Sequence, residues 1–186
     1  MPACITPTTG HSVLITLGLL SDSHGRAATT HTAVQMLIDH GAEALIHLGD
    51  VGTVQVLDAL AAVDPETGRQ IASHVVFGNT DWDRRALGQY AEDLGIAVYE
   101  PLGVVEIDGC RVGFTHGHDA SAMRGLVDAG VDYLLHGHTH VLSDTTSGKT
   151  RVINPGALFR ASRHTAVLLR PGDGSCEVLE VSGVVR

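Results

Sequence analysis

Short apolar runs alternate with polar clusters along most of this sequence, and five of the runs end in clusters of the same kind. The runs lie at about 17–20, 44–48, 74–77, 112–115 and 133–135. Each is followed at once by residues rich in Asp, His, Asn and Gly, as in Ser21-Asp22-Ser23-His24-Gly25. Short apolar runs bounded by turn residues are typical of buried strands, so the pattern predicts five strands with polar ends.

Amphipathic stretches after the first three runs predict helices that connect parallel strands. The first helix is expected to be capped by Thr29-Thr30, to run through His40 and to stop at Gly41. The second is expected at about 53–63 and the third at about 84–94, and the first strand at about 13–20. This βαβαβ order predicts a parallel sheet with right-handed crossover connections.

The second half of the chain predicts antiparallel pairing. The stretches 104–107 and 110–114 flank Asp108-Gly109, a pair that favours a two-residue hairpin turn. A helix at about 120–129 and a strand at 132–135 follow. Further short strands are expected near 141–146, 149–153, 165–169 and 176–181. We therefore expect an α/β fold of two mixed sheets packed face to face with helices outside, as a single domain over 13–186 after a loose tail at 1–12.

Composition narrows the function classes. The 186 residues carry a formal net charge of −9, which disfavours stable nucleic-acid binding because that binding depends on clustered Lys and Arg. No apolar run approaches the length of a membrane span, so we expect no membrane association. The three cysteines are odd in number and widely spaced, which predicts a reducing, cytoplasmic location rather than a disulfide framework.

The polar clusters hold seven residues with metal-binding side chains. These candidate ligands are Asp22, His24, Asp50, Asn79, His116, His138 and His140. Ligand sites in open α/β sheets gather beyond the carboxyl ends of the strands, so the seven are expected to share one site. Carboxylate, imidazole and amide donors together suit Mn, Fe, Zn, Ni or Co better than Ca or Mg.

Seven ligands exceed the needs of one such ion. Two ions about 3.5–4 Å apart that share one carboxylate would use all of them, and Asp50 is the expected bridge. Such a pair polarises a phosphoryl oxygen and lowers the pKa of a bridging water, which supplies hydroxide near neutral pH. The sequence therefore predicts hydrolysis of phosphate esters.

The ordered motifs resemble those of the calcineurin-like metallophosphoesterases. The motifs are Asp22-x-His24, Gly49-Asp50, Gly78-Asn79-x-Asp81, His116-Gly117 and Gly137-His138-x-His140, and they span about 17–157. Their short spacings, and Asn154-Pro155-Gly156 after the last of them, are similar to the small prokaryotic phosphodiesterase subfamily. The resemblance implies a four-layer αββα sandwich of two mixed β-sheets flanked by helices. It also implies two divalent ions, with manganese the first choice.

The resemblance also implies roles for the individual residues. One ion would be held by Asp22, His24, Asp50 and His140, and the other by Asp50, Asn79, His116 and His138. Asn79 would also contact the substrate phosphate, and Asp81 would orient a ligand or a nearby side chain. His118 is the alternative to His116 as a ligand, and otherwise it would line the site.

Thr80 departs from the motif, because many family members carry a His there that protonates the leaving group. The small subfamily often has Cys at this place, and Thr cannot act as a general acid near pH 7. General acid catalysis is typically worth about 10²–10⁴-fold. We therefore expect slow turnover of poor leaving groups. His118 is the candidate proton donor, and Asn79, Thr80 and His118 are the candidate substrate contacts.

The leading prediction is a dinuclear phosphodiesterase that acts on a small phosphate ester in an open site. One alternative is a non-catalytic metal-binding adaptor of the same fold, and another is a nuclease, which the lack of a basic surface disfavours. Trp82 is either a substrate platform or a packing residue. The arginines at 84, 85, 160 and 163 are either phosphate contacts or solvated charges. Exposed apolar residues on an edge strand would favour a homodimer.

Overall fold

A computed structural model describes residues 3–4 and 14–182 of the chain. The strands are β1 (Ala3–Cys4), β2 (Leu17–Leu20), β3 (Ala44–His47), β4 (Ala72–Val76), β5 (Ala97–Tyr99), β6 (Leu102–Ile107), β7 (Cys110–Thr115), β8 (Tyr133–Leu135), β9 (Ser143–Ser147), β10 (Thr150–Asn154), β11 (Thr165–Arg170) and β12 (Ser175–Glu180). The helices are α1 (Ala27–Asp39), α2 (Val54–Leu60), α3 (Arg84–Asp93) and α4 (Ala120–Asp128).

The strands form two six-stranded mixed sheets, which confirms the predicted fold class. The first sheet has the order β12-β11-β2-β3-β4-β5, in which β2 to β5 run parallel and β11 pairs antiparallel with both β2 and β12. The second has the order β1-β6-β7-β8-β10-β9. Its central strands β7, β8 and β10 are parallel, and the hairpins β6–β7 and β9–β10 add antiparallel pairs.

The two sheets pack face to face, with helices on both outer surfaces. The layer between the sheets contains Leu19 and Ile46 from the first sheet and Phe114 and Leu135 from the second. Helices α1, α2 and α3 cover the outside of the first sheet, and α4 covers the outside of the second, with Leu126 in its core. Successive strand side chains point to opposite faces, so strands covered on both faces have the continuous apolar runs seen in the sequence.

The start of the first helix differs from the prediction. Helix α1 begins at Ala27, with Arg26 at the N-cap position and no side-chain cap. The turn closed by the Arg26 amide and the Ser23 carbonyl starts the helix earlier than expected. Thr29 and Thr30 are therefore buried inside the first turn, and the predicted cap is wrong.

Several strand and helix ends also differ, because side chains and turns take over backbone hydrogen bonds. Strand β2 begins at Leu17, since the amides of Ile15 and Thr16 donate to carboxylates of Asp108 and Glu43. Helix α2 stops at Leu60, and the chain then forms an isolated bridge between residues 63 and 70. Strand β9 begins two residues later than predicted, and the edge strand β5 was not predicted at all.

The predicted tail at 1–12 lies outside the described residues, except that β1 pairs in parallel with β6. The limits of the domain stay a prediction. Within 14–182, no helix has the length and apolar character needed to cross a bilayer. Cys110 and Cys176 are free thiols.

Candidate metal centre

The loops that follow β2, β3, β7 and β8 meet at the carboxyl ends of their strands and are tied together by their backbones. The Asp22 amide donates to the Gly49 carbonyl at 3.0 Å, which joins the first two loops. The Gly137 amide donates to the His116 carbonyl at 2.9 Å, which joins the other two. The His138 amide donates to Asp22 Oδ2 at 3.0 Å and so connects one sheet to the other. The predicted convergence of these loops is therefore present in the structure.

Asp22, His24 and His140 form the first group of converging donor atoms. Asp22 Oδ1 lies 3.1 Å from His140 Nε2 and 4.0 Å from His24 Nε2, and the two ring nitrogens are 3.3 Å apart. Asp22 Oδ1 is buried, and none of the described residues donates a hydrogen bond to it. A buried oxygen left unpaired is costly, and a cation among these three atoms would satisfy it.

The second carboxylate oxygen of Asp22 is fully engaged. Asp22 Oδ2 accepts hydrogen bonds from the Ser21 hydroxyl at 2.6 Å and from the His138 amide at 3.0 Å. These two bonds fix the carboxylate plane, and Oδ1 is left to face the two imidazoles.

His116 and Asn79 form the second group together with Asp50. His116 Nδ1 lies 2.7 Å from the Leu48 carbonyl oxygen, which can only accept, so Nδ1 carries the proton. The Nε2 atom of neutral His116 then presents a lone pair, 3.2 Å from Asn79 Oδ1 and 3.5 Å from Asp50 Oδ1. Three acceptors that face one another require a cation or a proton between them.

Asp50 lies between the two groups. Its Oδ1 is 3.5 Å from His116 Nε2, and its Oδ2 is 3.5 Å from His24 Nε2. Burial alone would raise the pKa of this carboxyl, but the facing His116 ring and the hydrogen bond from the Thr80 amide hold the pKa well below its usual range. Burial likewise opposes the charged form of His116, and the Asp50 carboxylate and Leu48 carbonyl nevertheless raise its pKa. The site strongly favours positive charge beside Asp50.

His138 and His118 lie further out. Both residues are exposed, and their ring centroids are 5.1 Å and 5.4 Å from that of His116. Partial burial, followed by the positive charges of His116 and Arg84, lowers the pKa of His118. The lowered pKa favours the neutral imidazole, and the role of His118 as proton donor stays a prediction.

The backbone is strained at the predicted ligands. Seven non-glycine residues in the described part of the chain have positive φ: Asp22, His24, Asp50, Asp108, His138, His140 and Arg160, with φ from 44° to 67°. Five of them are predicted ligands, and Asp108 is the hairpin turn residue. Such conformations cost on the order of 1–3 kcal/mol each and cluster at functional sites. Arg160, a candidate phosphate contact, is the remaining member.

Glycines in the motifs allow the loops to approach each other. A Cβ on Gly49 would lie 2.5 Å from His116 Nδ1. A Cβ on Gly78 would collide with the Asp50 carboxylate, and one on Gly137 would collide with the Ser21 hydroxyl. The Gly-Asp, Gly-Asn and Gly-His pairs of the sequence therefore reflect packing as well as turn formation.

Asp81 contacts backbone amides and no ligand side chain. Its carboxylate accepts hydrogen bonds from Gly52 and Gly78 at 2.8 Å each and from Val51 at 3.2 Å. These amides surround Asp50, so Asp81 joins the loop after β3 to the loop after β4. These contacts are with the backbone, and the role of Asp81 in orienting a ligand or a nearby side chain stays a prediction.

Asn154 has a role that residue patterns did not indicate. Its Nδ2 donates to the Gly137 carbonyl at 2.8 Å and to Thr139 Oγ1 at 3.0 Å, and its Oδ1 accepts from the Gly156 amide. It thereby holds the segment that presents His138 and His140. The only signal in the sequence was the resemblance carried by Asn154-Pro155-Gly156.

Sequence comparison gives two matches. A family model described as the calcineurin-like phosphoesterase superfamily domain matches residues 15–173. A curated phosphodiesterase of Methanocaldococcus jannaschii is 28% identical over 142 residues, which cover 75% of this chain and 82% of that protein. The family model spans most of the chain, and the predicted resemblance is confirmed.

Comparison with solved structures shows the same fold in proteins of different kinds. An archaeal phosphodiesterase gives a TM-score of 0.77 at 24% identity, over 89% of this chain and 99% of that chain. The phosphoesterase YfcE of E. coli gives 0.63 at 20% identity, over 90% and 100%. Vps29 of Entamoeba histolytica, solved as a complex with zinc, gives 0.54 at 20% identity, also over 90% and 100%. At these identities the likeness shows the shared fold.

Proposed function

Because the chain belongs to the calcineurin-like phosphoesterase superfamily, we propose that it is a metal-dependent phosphodiesterase that acts on small phosphate esters at a dinuclear centre. The observation that carries the proposal is the Asp50 carboxylate. One of its oxygens faces His116 and the other faces His24, each at 3.5 Å. A single carboxylate shared by two groups of unpaired donors fits a pair of ions.

The donor chemistry fits divalent transition metals. Asp22, His24, Asp50 and His140 would hold one ion, and Asp50, Asn79, His116 and His138 the other. The orphaned Asp22 Oδ1 is the strongest sign of fit, because it is buried and has no donor. Two such ions polarise a phosphoryl oxygen and lower the pKa of a water between them. Imidazole and carboxylate together favour manganese, with Ni, Fe, Zn or Co as alternatives.

The remaining polar groups orient the ester and handle its protons. The exposed Asn79 presents an amide beside the second group of donors, where it can donate to a phosphate oxygen. The Thr80 amide is already committed to Asp50 Oδ1 at 2.9 Å. Neither Thr80 nor neutral His118 protonates a leaving oxygen readily, so the proposal includes poor turnover of esters with basic leaving groups.

Hydrolysis by metal-stripped protein tests the proposal. The protein is resupplied with Mn, Ni, Co, Zn or Mg and assayed with bis-p-nitrophenyl phosphate and p-nitrophenyl phosphate. Asn79→Ala is assayed in parallel, with His31→Ala on the exposed face of α1 as the matched control. We expect metal-dependent cleavage of the diester that Asn79→Ala reduces and His31→Ala retains. Absence of turnover with every metal, in protein shown to bind two ions, would overturn the enzymatic reading. Cleavage of single-stranded DNA in the same assay would instead favour a nuclease.

The presence of Thr80, where many family members have His, gives a second prediction. Thr80→His would place an imidazole where many family members have one, and general acid help is worth about 10²–10⁴-fold. We expect the rate of diphenyl phosphate hydrolysis to rise relative to that of bis-p-nitrophenyl phosphate, because phenol is the poorer leaving group. Thr67→His in a distant exposed loop serves as the control. An unchanged ratio would show that protonation does not limit the reaction.

A non-catalytic adaptor of the same fold is the second candidate. It is favoured by the apolar side chains exposed near the site, with Trp82 90% exposed and Val141 62% exposed. Trp82 lies two residues after Thr80, and its exposure shows that the ring does not pack within the described part of its own chain. Metal-independent partner binding that Trp82→Ala abolishes, without hydrolysis of any ester, would support the adaptor.

The proposal also covers the location of the protein and its oligomeric state. Free Cys110 and Cys176 are compatible with a reducing, cytoplasmic location. The edge strand β12 exposes Val178, which is the apolar residue on which a homodimer would depend. Size-exclusion chromatography with light scattering on Val178→Lys tests that dimer, since a charge there would disfavour pairing of two edges.

A further inference from the structure

Two arginines share one aromatic ring beside the first group of donors. The Arg26 Cζ atom lies 4.4 Å from the centroid of the Phe159 ring, and the Arg160 Cζ atom lies 5.2 Å from it. The same ring is 5.7 Å from the ring of His24. Both guanidinium groups therefore contact a ring that itself lies beside His24, a predicted metal ligand.

Neither guanidinium is paired with a carboxylate among residues 14–182. Other arginines of the chain have such partners, as in Arg84 with Glu100 and Arg151 with Asp144. Arg26 and Arg160 instead stack on Phe159, which restricts their motion and leaves their N–H groups open to solvent. In a protein of net charge −9, two fixed and unpaired cations at a catalytic rim are placed to attract an anion.

The backbone of Arg160 strengthens the case. Its φ of 52° is left-handed, and its carbonyl oxygen lies 3.4 Å from His140 Nδ1. A carbonyl oxygen can only accept, so that contact places the His140 proton on Nδ1. Glycine would adopt this backbone conformation without strain, so an arginine at this place indicates a use for the side chain.

We infer that Arg26 and Arg160, held over Phe159, form a subsite for a second anionic group of the substrate, next to the ester phosphate. The inference rests on the proposed function and specifies its substrate class, a phosphodiester that carries a carboxylate or a further phosphate on a short linker. Planar guanidinium groups recognise either anion through paired N–H bonds. Because both arginines stack on the Phe159 ring, the ring supports them and does not serve as a stacking surface for a base.

Matched synthetic diesters test the subsite. Each carries one p-nitrophenyl group, and the second alcohol is a carboxyalkyl, a phosphonoalkyl or a neutral hydroxyalkyl chain with two or four methylene groups. We expect kcat/KM for an anionic ester to exceed that for its neutral match by about tenfold, since charged hydrogen bonds are of that order. The preference should shrink with added salt. Carboxylate and phosphonate arms distinguish the two anions.

Substitutions of the two arginines and of Phe159 test whether these residues cause the preference for anionic esters. The double variant Arg26→Gln/Arg160→Gln should bring the ratio of anionic to neutral ester close to one, and Arg160→Lys should retain part of it. Phe159→Leu should lower the ratio while both charges remain. Arg163→Gln is the matched control, because Arg163 lies in the same loop but pairs with Glu180 at 3.7 Å. Calorimetric titration of the metal-loaded protein with 3-phosphonopropionate and with propylphosphonate repeats the comparison without turnover.

The outcomes separate this inference from the proposed function. Equal kcat/KM and equal phosphonate affinity in the wild-type protein would overturn the subsite while the phosphodiesterase stands. A double variant that slows both esters by the same factor would show that the arginines contact the scissile phosphate, which also overturns it. Hydrolysis of no ester with any metal would refute the phosphodiesterase itself.

Discussion

At the scale of single residues, the contacts of Asp22 mark it as a candidate metal ligand. One of its oxygens has two donors, and the other has none. We predict that Asp22→Asn leaves the melting temperature of metal-free protein unchanged or higher, because the amide NH₂ can donate to the facing imidazoles. It should remove the stabilisation by metal, which is about 2.7 kcal/mol at a hundredfold excess over Kd.

Thermal unfolding with EDTA and with added Mn measures both effects. Asp128→Asn on the exposed end of α4 is the control, and it should keep the full metal response. A strongly lowered melting temperature of metal-free Asp22→Asn would mean that Asp22 is a structural residue.

His74 is a buried titratable residue remote from the metal centre. Its Nδ1 contacts the Tyr99 hydroxyl at 3.2 Å, its Nε2 is buried with no hydrogen-bond partner among residues 14–182, and burial lowers its pKa to about 4. The unfolded chain therefore binds a proton near pH 6.5 that the native state refuses, so stability falls as pH drops from about 6.5 towards 4. Between pH 7 and pH 5 this should cost roughly 2 kcal/mol.

Urea unfolding at pH 7 and pH 5 measures this difference. In His74→Phe the loss between the two pH values should shrink by about 2 kcal/mol. His31→Phe, at an exposed position of α1, should not change it. An identical pH dependence in His74→Phe and the wild type would show that His74 is readily protonated in the native state.

At the scale of elements, strand β10 supports the loop that follows its neighbour β8. Asn154 ends β10 and bonds to Gly137 and Thr139 on either side of His138. Asn154→Ala should therefore weaken Mn binding about tenfold, because residues that orient ligands contribute of that order. Calorimetric titration gives the affinity, and Thr145→Ala on the exposed face of β9 is the control. Unchanged affinity would show that the glycine packing alone holds the loop.

The elements also show what a sequence can and cannot predict here. The hairpin at Asp108-Gly109 was predicted because its turn residues are local, and both have the positive φ that the turn requires. The α1 cap was misplaced because the turn before it is closed by Ser23, a contact that residue preferences do not indicate. The ligand segments were found because each follows its own apolar run. Asn154, Asp81 and Phe159 have partners distant in sequence, such as Gly137, Gly52 and Arg26, which local residue patterns do not indicate.

At the scale of the whole molecule, the candidate metal centre draws its residues from both sheets. Asp22, His24, Asp50 and Asn79 follow strands of the first sheet, and His116, His138 and His140 follow strands of the second. Apart from the apolar layer between the sheets, the hydrogen bonds from His138 to Asp22 and from His116 to the Leu48 carbonyl join them at this edge. Ions held by both sets of ligands would therefore connect the sheets directly, and their binding energy would stabilise the whole fold.

Hydrogen exchange can reveal that connection. Amides that exchange only through global unfolding should slow by one common factor when Mn binds, about a hundredfold at a hundredfold excess over Kd. Peptides that cover β3 of the first sheet and β10 of the second are the informative pair, because neither strand lies in the loops. Equal protection of both strands, lost from both together in Asp22→Asn, would mean that the ions stabilise the sandwich as one unit. Protection limited to one sheet would mean that only one set of ligands binds an ion tightly. Formation of the dinuclear centre would then require bound substrate.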